Sequence, residues 1–125
     1  MKDFSLNLLC KGANHLLPST LESLKMQSGS FEILLLDGEG NGRLQELAKQ
    51  YDGLPIRVES ASACNQAQMM NLGVALSQGK YIQFLEPGDR YISQYGLSFL
   101  KELIEKEPHL IVARGVSQEA KSHWL

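Results

Sequence analysis

The stretch YIQFLEPGDRYI, residues 81–92, indicates the fold more clearly than any other part of this 125-residue chain. Its first five residues are largely apolar and rich in aromatic and β-branched side chains, which is typical of a buried β-strand. Pro87-Gly88 then predicts a type II turn, because proline presets φ at its second position and glycine tolerates positive φ at its third. Carboxylates flank this turn at Glu86 and Asp89. The stretch therefore predicts a buried strand that ends in an acidic turn, which is either a ligand site or only a connection.

Outward from this strand, strand and helix patterns alternate along the chain. Strands are predicted at 4–10, 32–36, 55–59, 81–85 and 110–113, and helices at 19–27, 44–51, 64–77 and from 93 or 94 to about 106. Strands that are apolar on both faces, separated by amphipathic helices, are typical of a parallel sheet covered on both sides. The predicted fold class is therefore α/β, with a mostly parallel open sheet, strand order 3-2-1-4 at its centre and helices on both faces.

Local signals predict how two of the helices begin, end and pack. Ser19 and Glu22 match a capping box at the start of the first helix. In the helix at 64–77, the apolar stripe is predicted to consist of Ala67, Met70 and Val74. Gly79 is expected to end that helix in a left-handed conformation.

Composition excludes several classes of protein. The net charge of −2 and the absence of a Lys/Arg cluster give no reason to expect nucleic acid as a partner. No apolar run approaches the roughly 20 residues of a membrane span, and residues 1–10 are too mixed for a signal peptide. We therefore expect a cytoplasmic protein without a transmembrane segment.

Cys10 and Cys64 lack zinc-site spacing and are expected to be ordinary residues.

Ligands of an open parallel sheet bind beyond the carboxyl ends of its strands. The loops that leave those ends here are 11–14, 37–42, 60–65 and 86–89. Each candidate also has a structural interpretation: Asp37 could cap its strand, Asn65 could start a helix, and Asn71 could make a structural hydrogen bond or contact a ligand. The spacing of Gly38, Gly40 and Gly42 is G-x-G-x-G, which differs from the dinucleotide-binding fingerprint.

Four stretches resemble the nucleotide-sugar-binding half of family 2 glycosyltransferases, which have the GT-A fold. They are KGAN ending at Asn14, STLESLKMQS ending at Ser28, EILLLDGEGNG from Glu32, and MMNLGVALSQGKYIQFLEPGD at 69–89. The last stretch follows the family pattern A-R-N-x-G-x-x-x-A-x-G-x-Y-I-x-F-L-D-x-D-D. The residues in register are Asn71, Gly73, Gly79, Tyr81, Ile82, Phe84 and Leu85.

This resemblance implies a nucleotide-diphosphate sugar as the donor substrate and a divalent metal, Mn²⁺ or Mg²⁺, as the cofactor. The donor-binding residues implied are Asn14, Asp37, Asn71 and Glu86, and Asp89 is the metal ligand implied. The sequence departs from the family pattern at three positions. Gly88 stands where the family has its metal-binding acid, Gly38 replaces an acid of the second loop, and Met70 replaces a commonly basic residue.

The resemblance therefore implies a glycosyltransferase of the hexosyltransferase type that acts on an unknown acceptor. Residues 1–125 are expected to form a single nucleotide-sugar-binding domain whose acceptor half is missing or reduced, and which is inactive as this chain alone. A non-catalytic binding or interaction module on the same fold is the alternative, and an unrelated α/β nucleotide-binding protein is a third class. Two contexts stay open: a homodimer, or a larger glycosyltransferase.

Overall fold

The computed structural model describes residues 2–12 and 14–107. The strands are β1 (Phe4–Cys10), β2 (Phe31–Asp37), β3 (Ile56–Ser60) and β4 (Tyr81–Leu85), and the helices are α1 (Leu17–Lys25), α2 (Arg43–Lys49), α3 (Gln66–Leu76) and α4 (Gly96–Lys106). A short 3₁₀ turn, Asn14–Leu16, leads directly into α1. None of the helices within the described ranges has the length and hydropathy of a membrane-spanning segment.

The sheet of the described residues has the order β3-β2-β1-β4, and every neighbouring pair is parallel. This confirms the predicted fold class and strand order. The chain moves from β1 to β2 to β3 in one direction, and β4 then lies on the other side of β1. The strand order consequently reverses between β1 and β4. The strand predicted at 110–113 lies outside the described residues.

Helices cover both faces of the sheet because β1 and β2 bury alternate residues on opposite sides. One core contains Phe4, Leu6 and Leu8 of β1 with Leu21 and Leu24 of α1, Leu44 of α2 and Leu97 of α4. The other contains Leu9, Leu36 and Met69 of α3. The β1–β2 and β2–β3 crossovers move in one direction along the sheet and place α1 and α2 on one face. The β3–β4 crossover moves back and places α3 on the other face, as crossovers of a single hand require.

The start of α1 differs from the predicted capping box. The helix begins at Leu17, two residues before Ser19, and Leu16 caps it without a side-chain hydrogen bond. Pro18 lies in the first turn, where its missing N–H costs nothing. Ser19 is consequently inside the helix, and its Oγ donates to the Leu16 carbonyl at 3.0 Å.

The sheet-facing side of α3 also differs from the prediction. Met69 and Gly73 are buried, whereas Val74 of the predicted stripe is 51% exposed. A Cβ at Gly73 would lie 2.5 Å from Asn7 Nδ2 and 3.0 Å from Leu36 Cδ1. Glycine therefore allows α3 to approach β1 and β2 closely here, and a pattern of large apolar residues does not reveal such a position.

Gly79 has a packing role in place of the left-handed cap that was predicted. The helix ends at Leu76, and Ser77 follows in an extended conformation. A Cβ at Gly79 would lie 2.6 Å from the backbone of Phe4 and Ser5, so the α3–β4 connection crosses the start of β1 at contact distance. The Gly79 N–H also donates to Ser5 Oγ at 2.7 Å.

Glu32 is a buried acid on the α3 face of the sheet, with 4% of its surface exposed. Its Oε2 accepts hydrogen bonds from Ser5 Oγ and the Gln78 N–H, each at 2.6 Å. Its Oε1 lies 3.1 Å from Arg57 Nη2. Burial by itself would raise the pKa of Glu32, but the hydrogen bonds and the guanidinium outweigh burial and hold that pKa below its ordinary value.

Candidate functional site

The parallel register brings the strand-end loops to one edge of the sheet. Cys10 of β1 pairs with Asp37 of β2, and Leu8 of β1 pairs with Leu85 of β4. Asp37 and Glu86 thus lie at the same edge, on either side of β1. Since neighbouring strands are spaced by about 4.8 Å, their backbones are roughly 10 Å apart. This edge includes the point where strand order reverses, the usual ligand position in such folds.

Asp37 ends β2 and organises the loop that follows. Only 2% of its surface is exposed. Its Oδ1 accepts the N–H groups of Glu39 and Gly40, each at 3.0 Å. Backbone bonds tie the same strand end to both neighbours, from the Gly38 N–H to the Cys10 carbonyl and from the Ala61 N–H to the Asp37 carbonyl. One carboxylate oxygen therefore holds the loop, as the structural interpretation of Asp37 predicts.

Asn14 is joined to the β2 loop by Glu39, a residue that the sequence patterns do not single out. Its Nδ2 donates to Glu39 Oε1 at 3.2 Å, and the Gly12 N–H donates to the same oxygen at 3.3 Å. Glu39 thus joins the loops after β1 and β2. It gives no periodic signal, because it is an exposed acid in a glycine-rich loop. The acidic character of the segment DGEGNG is the only sequence feature that marks it.

The predicted type II turn is present after β4. Gly88 has a φ of 104°, and the Asp89 N–H donates to the Glu86 carbonyl at 2.9 Å. Asp89 Oδ2 accepts the Glu86 N–H at 2.9 Å, so the carboxylate of Asp89 closes its own turn. The Gly88 N–H donates to Thr20 Oγ1 of α1 at 2.9 Å. Glu86 itself is exposed.

The two asparagines of the α3 region lie in different surroundings. Asn65 caps α3: its side chain accepts the Gln68 N–H, and Gln68 Oε1 accepts the Asn65 N–H, each at 2.8 Å. Its interpretation as a helix-start residue is confirmed. Asn71 is exposed at mid-helix, about 7.5 Å along the axis from Gln66. The structure does not bring Asn71 into the loop cluster that contains Asn14 and Asp37.

The residues that the structure describes do not form a metal centre by themselves. Mn²⁺ and Mg²⁺ prefer several oxygen ligands in a fixed geometry. Within residues 2–12 and 14–107, no group of three His, Cys, Asp or Glu side chains could hold a metal ion. At the β4 turn, Gly88 contributes no side chain, and one oxygen of Asp89 already accepts the Glu86 N–H. The donor set at this turn is therefore at most two carboxylates.

Neither cysteine forms a disulfide. Burial, with the charges of Asp37 and Glu39 nearby, raises the pKa of the Cys10 thiol to about 12. The thiol therefore stays protonated at neutral pH and is a poor nucleophile. The expectation that Cys10 is an ordinary buried residue fits this environment.

The fold and the position of its loops define a GT-A-type α/β domain, and comparison with solved structures agrees. Residues 1–349 of TarS from S. aureus share 19% sequence identity with this chain at a TM-score of 0.72, over 97% of this chain and 40% of that one. A structure of the same TarS region in complex with UDP has a TM-score of 0.70 at 20% identity, with the same coverage. Mannosyltransferase PcManGT from Pyrobaculum calidifontis, in complex with GDP-Man and Mn²⁺, has 11% identity and a TM-score of 0.71, over 83% of this chain and 34% of that one.

Sequence comparison identifies the family. The model of glycosyl transferase family 2 matches residues 8–124, and the chain belongs to this family. A search of curated proteins finds no match. The chain spans less than half the length of the solved structures named above.

Proposed function

We propose that residues 1–125 form the donor-binding part of a family 2 glycosyltransferase and bind a nucleoside diphosphate sugar at the carboxyl edge of the sheet. The observation that carries this proposal is the junction of β1 and β4, where strand order reverses between the loop of Asn14 and the turn of Glu86. Family membership and structural neighbours in complex with UDP or GDP-Man support it.

The donor-binding residues in this proposal are Asn14, Asp37, Asn71 and Glu86. Asp37 can reach a ligand only through its second carboxylate oxygen, because Oδ1 holds the loop and only 2% of the residue's surface is exposed. Glu86 is exposed beside the turn and can accept hydrogen bonds from hydroxyl groups of a donor. Asn71 lies part way along α3, so it contacts the donor only if the bound donor extends beyond the strand-end loops.

We propose that the metal-binding motif is degenerate and that this chain alone does not transfer sugar. Transfer requires stabilisation of charge on the leaving diphosphate and a base near the acceptor hydroxyl. Gly88 replaces the acid that the family resemblance places at the metal. Asp89 is the metal ligand in this proposal, and one of its two carboxylate oxygens already accepts the Glu86 N–H.

An assay for sugar transfer and donor hydrolysis tests this part of the proposal. We expect no product from residues 1–125 with Mn²⁺ and a panel of nucleotide sugars. Nucleotide release above a buffer control, abolished by Glu86→Ala or Asp89→Ala, would show instead that the turn is a working catalytic site.

A non-catalytic binding or interaction module is the second candidate function. The same substitution at Gly88 favours it, because a binding module does not need a complete metal site. It also fits a chain that acts within a larger glycosyltransferase, since the structural neighbours extend well beyond the matched region. A cytoplasmic location stays a prediction from the sequence.

Calorimetric titration with UDP and GDP, with and without Mn²⁺, tests donor binding directly. We expect one of the two nucleotides to bind and Asp37→Ala to weaken its affinity at least tenfold. Asp52→Ala, a change of the same chemistry at an exposed position outside the edge, should leave the affinity unchanged. If neither nucleotide binds under either condition, the donor-site proposal is wrong and the interaction module is favoured.

A further inference from the structure

One exposed carboxylate joins two loops of the proposed site. Glu39 Oε1 accepts hydrogen bonds from the Gly12 N–H at 3.3 Å and from Asn14 Nδ2 at 3.2 Å. Its Oε2 accepts one from Asn41 Nδ2 at 3.4 Å, within its own loop. Three donors from two loops thus converge on one side chain. A carboxylate suits this role because both of its oxygens accept hydrogen bonds and neither donates one.

Lys11 makes a second connection, which passes the β2 loop and reaches the loop after β3. Its Nζ donates to the Cys64 carbonyl at 2.8 Å and so joins the loop after β1 to the loop after β3. A Cβ at residue 38 would lie 3.2 Å from both Lys11 Cβ and Lys11 Cγ. Gly38, which replaces an acid of the family pattern, therefore leaves space for this lysine to cross the β2 loop. Lys11 and Glu39 together hold three strand-end loops in one arrangement.

The orientation of the Asn14 amide depends on Glu39. With Nδ2 toward the carboxylate, Asn14 Oδ1 is buried and has no hydrogen-bond partner among the described residues. A buried acceptor without a partner is unfavourable, so the orientation needs a compensating interaction. The reversed amide would place Oδ1 against the negative oxygens of Glu39. The bond to Glu39 therefore selects the observed orientation over the reversed one.

We propose that Glu39 is a positioning residue of the nucleotide site, which sets the orientation of the Asn14 amide and holds the β1 loop against the β2 loop. The identity of the ligand in this inference rests on the proposed function. Glu39 acts through Asn14 and Gly12, and its effect on binding follows from the loop arrangement that it maintains.

Nuclear magnetic resonance of the ¹⁵N-labelled chain tests the positioning role without any ligand. Glu39→Ala should move the Gly12 amide and the Asn14 side-chain amide signals and speed the exchange of the Asn14 Nδ2 protons with water at least threefold. Glu39→Gln, which keeps an acceptor oxygen at the same reach, should preserve most of the wild-type signals. Glu46→Ala removes an exposed acid of α2 and is the matched control. Unchanged Gly12 and Asn14 signals in Glu39→Ala, with the thermal transition preserved, would overturn the proposal.

Titration with UDP and GDP tests the consequence for the site. We expect Glu39→Ala to weaken nucleotide affinity at least fivefold, with Glu39→Gln close to the wild type and Glu46→Ala equal to it. Equal affinity in Glu39→Ala and wild type would contradict a positioning role even if the amide signals move. If the wild type binds neither nucleotide, the proposed function fails, and the ligand-free spectra alone decide whether Glu39 holds Asn14.

Discussion

The hydroxyl of Thr20 in α1 accepts the N–H of Gly88 in the β4 turn at 2.9 Å, across 68 residues of sequence. Thr20 is fully buried. The turn that bears Glu86 and Asp89 is therefore held from the side of α1 as well as by its own strand. The turn is thus part of the packed structure at this edge of the sheet.

Thr20→Val should destabilise the protein by about 1–3 kcal/mol, because it leaves the part-buried Gly88 N–H without an acceptor at almost unchanged volume. Thr20→Ser keeps the hydroxyl and should lose less stability than Thr20→Val. Urea denaturation of the two variants measures the difference. If Thr20→Val and Thr20→Ser lower the free energy of unfolding by the same amount, the hydroxyl does not hold the turn. The loss of stability then comes from changed packing at this position.

Gly73→Ala should destabilise the protein by about 1–3 kcal/mol through overpacking against Asn7 and Leu36. This loss should exceed the gain of up to about 1 kcal/mol that alanine brings to a helix interior. Gly53→Ala is the matched control, because a Cβ there would have no atom within 4 Å. Denaturant unfolding that finds Gly73→Ala as stable as the wild type would show that α3 does not need its close approach to β1.

The stability of the protein should fall as pH drops through the ordinary glutamate range, and Glu32 should be responsible for part of this fall. Its pKa is lowered in the folded state, so the unfolded chain binds the proton more tightly. Its stabilising contribution is fully present above the unfolded pKa of about 4.3 and is lost as pH falls toward the folded pKa. Urea unfolding at several pH values should show a smaller loss in Glu32→Gln than in the wild type. An identical pH dependence in both would contradict the assignment to Glu32.

Gly88→Asp should strengthen the binding of Mn²⁺ in the presence of UDP or GDP, because it restores a carboxylate where the family pattern has its metal ligand. The wild type should bind Mn²⁺ weakly or not at all without a nucleotide. The substitution should also destabilise the turn by about 1–3 kcal/mol, since the φ of 104° suits glycine far better than aspartate. Calorimetry that finds equal Mn²⁺ affinity in both forms would show that position 88 is not the lost ligand site.

Much of the fold could be predicted from the sequence because the relevant signals are local. The apolar runs identify the strands to within a residue or so, and Pro87-Gly88 identifies the type II turn. The errors arise where structure outside the helix itself decides. The burial of Gly73 depends on its distance to Asn7, and the start of α1 depends on the turn that precedes it.

The shared edge of the candidate loops was predictable from the sequence, but the contacts between those loops were not. The loops after β1, β2 and β4 do meet one edge, because parallel strands place their carboxyl ends together. Glu39 and Thr20 were not predicted, since each acts on a partner distant in sequence and neither belongs to a periodic pattern. The donor contacts of all four residues and the metal contact of Asp89 stay predictions; the four are Asn14, Asp37, Asn71 and Glu86.

Amide chemical-shift mapping with UDP and GDP is the sharpest test of the proposed donor site. We expect one nucleotide to perturb Gly12, Gly40 and Gly88 at the carboxyl edge and to leave the opposite edge unchanged. That opposite edge contains an open cavity of about 290 Å³ lined in part by Asp3, Ser30 and Lys101, and it is the natural competing site. Shifts confined to that cavity, or no shifts with either nucleotide at saturating concentration, would show that the carboxyl edge is not the nucleotide site.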